Sequence, residues 1–468
     1  MNKAIFNTAF LLLISLTVTQ AQVQINSRII DQKSKAPISY ANISIAKTTK
    51  GTMSNKDGQF ELFVENPQAD TRIQISSLGY QSLLLNIDEI TNAKTIELKA
   101  IAYDLSEVKV NASRLMSDPK KILKACMKAA PSFRPDKPYI NKGFLRQSHL
   151  LNKKYVKLIE AALFTYATPE EPKLKVHILE KRNTYDNREI DAEALGFFKN
   201  WEHMRQNKAH RQAKTYKPNK EELQKLIRET DEKRNSISKL RRLETAYQPK
   251  LGDMWHSLHD LYKSDFHQFK LDTILDLNGE AIYKIKMLPT AKELKNGIFI
   301  RLGYLLISAK DFALYEIKYG KVQNPNKNGL MITGFANTFK SNFTLKYKRQ
   351  KGKLYPSYYK IFKRDFTGIS SSIIEGQIKQ KKYPRISKEL LFTEIIEEPN
   401  QITQMLPEKW NDKLYIPSEY HPEFWKNYSI LLETKNEAKL REDLESDIDM
   451  KQQFSKSADS IRINQVNN

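Results

Sequence analysis

APISYANISIAKTTKGTMSNKDGQFELFV, residues Ala36–Val64, decides how the first part of this chain folds. Ala41–Ala46 and Gln59–Val64 each place apolar residues at every second position, the period of a strand with one buried face. Between them stand Lys50-Gly51 and Asp57-Gly58, and Asp-Gly is a strong signal for a tight hairpin. Working outward, Gln24–Ile30, Arg72–Ser76 and Gln81–Ile87 are further short strands, with turns at Lys35-Ala36-Pro37 and Leu78-Gly79. Short strands at this spacing predict an antiparallel sandwich. Phe60 is expected in its interior, and Gly79 is expected to permit a positive φ or close backbone approach before Tyr80 packs.

The stretch from Ala36, continued by IQISSLGYQSLLLNI, resembles the carboxypeptidase-like regulatory domains. Pro37, Ile38, Ala41, Gly51, Thr52, Asn55, Gly58, Phe60, Ser77, Gly79 and Tyr80 stand at that family's motif positions. The departures are Ile43 where Val is usual, Ser54 where Thr is usual, and Arg28 where Gly is common. The resemblance covers residues 22–110 and implies a transthyretin-like β-sandwich. Within the family this unit accompanies enzymes, transporters and envelope proteins, so it assigns no activity by itself.

Upstream, Lys3, the apolar run Ala9–Val18 and the small residues Thr19 and Ala21 form a secretory signal, residues 1–21, with cleavage expected before Gln22. The apolar run is shorter than a bilayer span. With no Cys at the cleavage point, a lipoprotein anchor is not expected. The formal charge of +23 would suggest nucleic acid in a cytoplasmic protein. Export removes that expectation and leaves anionic envelope lipids or outer-membrane proteins as partners. Cys126 is the single cysteine, so neither an internal disulfide nor a cysteine-built zinc site is expected.

Downstream, Leu105–Ser113 reads as a linker strand. A helix follows from Pro119 to Ala130, N-capped by Asp118, with Ile122, Leu123, Cys126 and Met127 on one face. Strands are expected at Phe144–Leu151, Lys154–Tyr166 and Lys173–Lys181. The charged stretch near 186–268 reads as a helical insertion, with Leu223, Leu226, Ile227, Ile237 and Leu240 as its apolar stripe. Strand patterns resume at Phe269–Leu275, Glu280–Leu288, Gly297–Ser308, Phe312–Gly320, Gly329–Phe339, Phe343–Gln350, Lys353–Lys363 and Ser371–Lys379, with Lys351-Gly352 as a hairpin turn. Residues 406–468 read as a helical tail with frayed final residues.

The order GEAIYKIKMLP, ISAKDFALYEIKYG, KRQKGKLYPSYYKIF, PEFWKNYSILLE resembles exported proteins of the Bacteroidota that join a regulatory-type sandwich to a β-rich region. The strand, Asp311-Phe312-Ala313, strand step also resembles lipoprotein-carrier half-barrels, which implies a curved sheet partly closed by helices.

Three constellations bear on chemistry. His177-Ile178-Leu179-Glu180 matches a metallopeptidase H-x-x-E, but strand alternation should point the two side chains to opposite faces. His256, His259 and Asp260 would share one side of a helix and are the weak metal candidates. A site there needs a further strong ligand, for which His267 is the candidate, and the histidines are expected chiefly as rim residues of that helix. Trp255, Leu258, Tyr262 and Phe266 form that helix's core stripe. No G-x-S-x-G elbow or P-loop occurs, and 15 glycines leave little material for phosphate-cradling loops.

The sequence therefore predicts an α+β, mostly antiparallel protein: a sandwich over 22–110, a large curved sheet with packed helices over 111–405, and the tail. The expected function is a non-enzymatic envelope binding or assembly protein without catalytic residues or cofactor, holding a lipid or peptide on its large sheet. A secreted hydrolase with an accessory domain and a partner subunit of an outer-membrane transporter are the alternatives.

Overall fold

The computed structural model describes residues 22–101, 115–151, 154–170, 174–187, 258–263, 267–297, 299–324, 341–364, 385–416, 418–446 and 448–456, with short pieces at 189–190, within 221–237, and at 373–374, 377–378 and 464–465. The expected leader, the expected Leu105–Ser113 linker strand, the expected strand Gly329–Phe339 and most of the expected helical insertion lie outside the described residues.

The first unit has seven strands: β1 (Gln22–Asp31), β2 (Asn42–Ile45), β3 (Gly51–Met53), β4 (Gln59–Glu65), β5 (Arg72–Ser76), β6 (Leu83–Asn86) and β7 (Ile96–Leu98), with helix α1 (Ile87–Asn92) before the last. They form a three-stranded sheet β4-β1-β7 and a four-stranded sheet β3-β2-β5-β6. Ile25, Ile29, Phe60, Leu62 and Leu98 of the first sheet meet Ile43, Ile73 and Ile75 of the second in one buried core. Fully burying each such side chain contributes about 1.5–3 kcal/mol. Three features depart from the antiparallel expectation. Residues 51–53, read as part of a turn, are strand β3; the chain after β6 turns helical; and β7 runs parallel to β1.

The second unit begins with helix α2 (Pro119–Ala129), whose Asp118 side chain accepts from the Lys120 and Lys121 amides. A 3-10 turn, Ala130–Phe133, leads into β8 (Tyr139–Leu151), β9 (Lys154–Ala167) and β10 (Lys175–Asn183). After β11 (Glu189–Ile190) and helix α3 (Leu258–Lys263) come β12 (His267–Leu277), β13 (Glu280–Pro289), helix α4 (Ala291–Asn296), β14 (Phe299–Ser308), β15 (Leu314–Gln323), β16 (Ser341–Gln350) and β17 (Lys353–Arg364). The two-residue strands β18 (Ile373–Ile374) and β19 (Gln377–Ile378) pair only with each other, so Ser371–Lys379 adds no strand to the large sheet. Then follow β20 (Arg385–Ile396), helices α5 (Pro399–Met405), α6 (Pro422–Lys426), α7 (Lys435–Leu444) and α8 (Met450–Lys456), and β21 (Asn464–Gln465). Near the expected frayed end, β21 instead pairs in parallel with β11.

Ten strands make one sheet, in the order β10-β9-β8-β20-β17-β16-β15-β14-β13-β12, antiparallel throughout. It comprises two meanders, β8–β10 and β12–β17, joined by β20. Six of its pairings carry a register shift, and bulges bend strands and raise their twist.

One face, here the inner face, carries the main core. Ile122, Leu123 and Cys126 of α2, Phe133 and Leu258 pack on it. Burial drives the Cys126 thiol up to about 12, which marks it as structural. The outer face is covered over β8–β10 and β20 by the segment after Pro399. Trp410 and Ile402 sit on Phe164, Trp425 lies by Phe144, and Leu440 and Phe454 lie on Leu158.

The sandwich docks on the same outer face. Tyr40 and Met53 join Tyr358, Phe144 and Leu391 in one apolar cluster. The Thr49 hydroxyl donates to the Ile395 carbonyl at 2.6 Å, and the Lys348 ammonium donates to the Thr49 carbonyl at 2.8 Å. The Gly79 amide donates to the Asp276 carbonyl at the β12–β13 turn, at 2.9 Å. Among the described residues, no helix is long and apolar enough to cross a membrane.

Candidate functional site: the inner face of the large sheet

Because paired residues of an antiparallel ladder point to the same side, the register defines rows of side chains running across all ten strands. One inner row reads Leu271, Ile285, Leu305, Ile317, Leu345, Tyr359, Leu390, Leu145, Ala161 and Lys181. Nine of these ten are apolar or aromatic, and all nine pack in or against the main core. The next inner row reads Phe269, Met287, Gly303, Tyr319, Phe343, Ile361, Lys388, Gln147, Ile159 and Asn183. Its first half is aromatic and aliphatic, with Phe269, Phe343 and Ile361 only partly buried. From Lys388 onward it is mostly polar, with Lys388, Gln147 and Asn183 beside the buried Ile159. Beyond it lies a polar rim containing His149 and Lys157, which oppose one another across β8 and β9.

The polar end is tightly built. The Gln147 side-chain amide donates to the Tyr415 hydroxyl and lies 3.2 Å from His149 Nε2. The Lys157 ammonium donates to Asp186 at 2.8 Å and lies 5.1 Å from the centre of the Tyr415 ring. The Lys181 ammonium donates to the carbonyls of Lys413, at 2.7 Å, and Ile416. Burial lowers the Lys181 pKa to about 8, although Glu232 and Glu180 pull the other way. Lys388 is buried as well. Gln147 Oε1 is a buried acceptor with no hydrogen-bond partner among the described residues, and such an acceptor is costly unless something donates to it. The arrangement is amphipathic in one direction: apolar rows that end in buried amide, imidazole and ammonium groups.

The metal candidates do not assemble. His256 lies outside the described residues, and of His259 and Asp260 only the backbone, in α3, is described. His267 opens β12, stacked near Phe269 and Tyr319. Burial, with the Arg301 charge, lowers its pKa to about 4, and that neighbouring cation also disfavours a metal ion. Among the described residues, no group of three or more His, Cys, Asp or Glu side chains could hold a metal.

The His177–Glu180 geometry requires a correction. A bulge between Ile178 and Glu180 pairs His177 with Phe164 and Glu180 with Ala162, which puts both side chains on the outer face. Each has another partner: His177 Nδ1 accepts from the Asn411 amide at 3.1 Å, and Glu180 meets His421 Nδ1 at 2.7 Å.

The sandwich motif residues sit at turns and seams. Pro37 bridges to Ile30 and Phe60 is buried in the sandwich. A Cβ on Gly51 would come within 2.5 Å of the Ile43 carbonyl oxygen. Gly58 has φ +78 and lies against the Ile29 carbonyl, so a side chain there is excluded twice. Gly79 has φ +81, and Tyr80 bridges to Ala100. Asn55 has a role the motif alone does not reveal. Its Oδ1 accepts from the Asp57 and Gln59 amides to build the hairpin, while its Nδ2 reaches the carbonyls of Leu432, at 3.4 Å, and Glu433, at 3.0 Å.

Comparison with known proteins agrees with the first unit: residues 25–110 match the model of the CarboxypepD_reg-like domain, so the chain carries that domain at its amino end. No curated protein matches the chain. Among solved structures, a domain assigned to outer membrane lipoprotein sorting from Vibrio parahaemolyticus is 10% identical, covering 62% of this chain and 96% of its own, with a TM-score of 0.21. A LolA superfamily protein from Nitrosomonas europaea is 9% identical over 60% of this chain and 96% of its own, with a TM-score of 0.20. A DUF1329 family protein from Desulfovibrio piger is 9% identical over 59% and 93%, with a TM-score of 0.19.

Proposed function

We propose that this chain is a non-enzymatic binding protein of the cell envelope that holds an amphiphile, an acyl chain with a polar head, on the inner face of its large sheet. The observation that carries the reading is the second inner row. Phe269, Phe343 and Ile361 are partly open, and the row continues into Lys388 and Gln147. An acyl chain laid along the apolar half gains burial at every methylene. Its polar head then lies beside the Lys388 ammonium, which donates to a carboxylate or phosphate ester, while the Gln147 amide oxygen accepts from a hydroxyl or amide of the same head. The secretory leader expected at residues 1–21 supports placement in the periplasm or at the inner face of the outer membrane.

The test is titration of the delipidated full chain with a dansyl-labelled fatty acid, alongside native mass spectrometry of protein prepared from envelope extracts. Saturable binding is expected, weakened at least roughly tenfold by Phe343→Glu, which places a charge in the apolar half of that row. Lys388→Met tests the head end without touching the apolar row. Absence of both probe binding and a co-purifying lipid overturns the reading.

A further inference from the structure

The outer face carries its own row across the ten strands: Lys270, Lys286, Tyr304, Lys318, Thr344, Lys360, Glu389, Arg146, Glu160 and Arg182. Its two halves differ. From Lys360 to Arg182 the charges alternate in sign and neutralise one another: Lys360 to Glu389 at 2.9 Å, Arg146 to Glu160 at 2.7 Å, Arg182 to Glu160 at 2.6 Å. That half is roofed by the carboxy-terminal segment, with Trp425 4.4 Å from the Arg182 guanidinium.

Among the described residues, the β12–β15 part of the other half has no such roof and no such balance of charge. Lys270 and Lys286 oppose each other directly, a like-charge pairing that costs stability in a sheet. Lys284 and Lys318 flank the Tyr304 ring at 5.6 and 5.8 Å. Among the described residues, these four lysines face one carboxylate, Asp272, which is 2.6 Å from Lys286 and 3.5 Å from Lys284. Nearby Glu316 is taken by Lys346 and by the Tyr304 hydroxyl. A lysine on the edge strand β12 is a common guard against strand addition. That account does not extend to Lys286 on β13 or Lys318 on β15, which are interior strands. On the side of this basic patch away from the sandwich, the same face exposes two apolar side chains, Leu302 at 37% and Val322 at 38%.

We infer that this outer face of β12–β15 docks on an anionic lipid bilayer, with the lysines and Tyr304 at head-group level and Leu302 and Val322 entering the boundary beneath. Charge complementarity selects the occupant, because lysines held in mutual repulsion are relieved by phosphates. The paired exposure of a leucine and a valine beside them favours a bilayer over a soluble polyanion, which gains nothing from apolar groups. The sandwich lies toward the other end of the same strands, near Asp276 and Lys348, and meets the border of this face at β16, where the Tyr40 ring centre lies 5.3 Å from the Lys346 ammonium.

The experiment is co-sedimentation of the mature full chain with phosphatidylglycerol-containing vesicles, with pure phosphatidylcholine vesicles, and with polyphosphate as a soluble competitor. Binding to the anionic vesicles alone is expected, and it should fall as salt rises. Lys286→Gln/Lys318→Gln should weaken it by about fivefold per lysine, and Leu302→Ser/Val322→Ser should abolish the fraction that survives high salt. Lys56→Gln/Lys409→Gln, equal in charge but elsewhere on the molecule, should behave as wild type. The inference is overturned by equal loss in that control pair, by polyphosphate binding at the patch without vesicle binding, or by no binding to anionic vesicles. None of these outcomes bears on fatty-acid binding by the inner face, so the two readings fail separately.

Discussion

His267 shows how environment overrides residue type. Its sequence neighbours suggested a metal ligand, yet it lies buried beside Phe269 and Tyr319, with Arg301 adding an unfavourable charge. Burial first, and that charge second, lower its pKa to about 4 from the ordinary 6.5. Between those values the unfolded chain binds a proton that the folded chain refuses, so stability is complete above pH 6.5 and is lost as pH falls toward 4. The loss amounts to about 3 kcal/mol at most. His267→Phe should flatten this part of the pH–stability profile, measured by urea unfolding at pH 7, 5.5 and 4.5. An unchanged slope would mean the imidazole is solvated in the folded protein. Gln147 and Lys388 illustrate the opposite limit of legibility. Each is an ordinary polar residue in its own strand, and only the pairing of β20 with β8 makes them neighbours at the end of an apolar row.

At the scale of elements, alternation revealed β12 to β17 well, because each has one face in the main core and one facing outward. It failed for β20. That strand is sandwiched between α-helical and C-terminal cover on the outer side and the main core on the inner side, so Leu390, Leu391 and Phe392 are all buried in succession. Its buried Lys388 and Glu389 further disguise it as a surface segment. Asn278-Gly279, with φ of 55 and 82, closes the β12–β13 hairpin, and an Asn-Gly pair between two strand patterns is a turn signal legible in the sequence itself. The neutralised half of the outer row gives a sharp test of element packing. Burial alone would raise the Glu160 carboxyl, but the Arg146 and Arg182 guanidiniums outweigh it and hold it below its ordinary value. Glu160→Gln leaves two guanidiniums buried without their shared anion, so it should cost about 3–5 kcal/mol in chemical denaturation. A cost below about 1 kcal/mol would show the row to be open to water.

At the scale of the whole molecule, the sandwich and the large sheet share a seam. Met53 belongs to the cluster with Phe144 and Tyr358 and is no part of the sandwich's own core. Met53→Asp should therefore spare each unit and break their docking. Calorimetry should show one transition for the wild-type chain and a separate, earlier sandwich transition for the variant; a single unchanged transition would refute the coupling. The insertion of β20 between the two meanders has a consequence for biogenesis. Thr393 bonds across to Lys142, 251 residues earlier in the chain. A polypeptide emerging amino end first, from ribosome or translocon, must keep the rim of β8 unzipped while the whole second meander is being delivered. Closing the sheet thus waits on a long-distance event, and until it happens the nascent protein presents a sticky, hydrogen-bond-hungry border that a holding chaperone would shield.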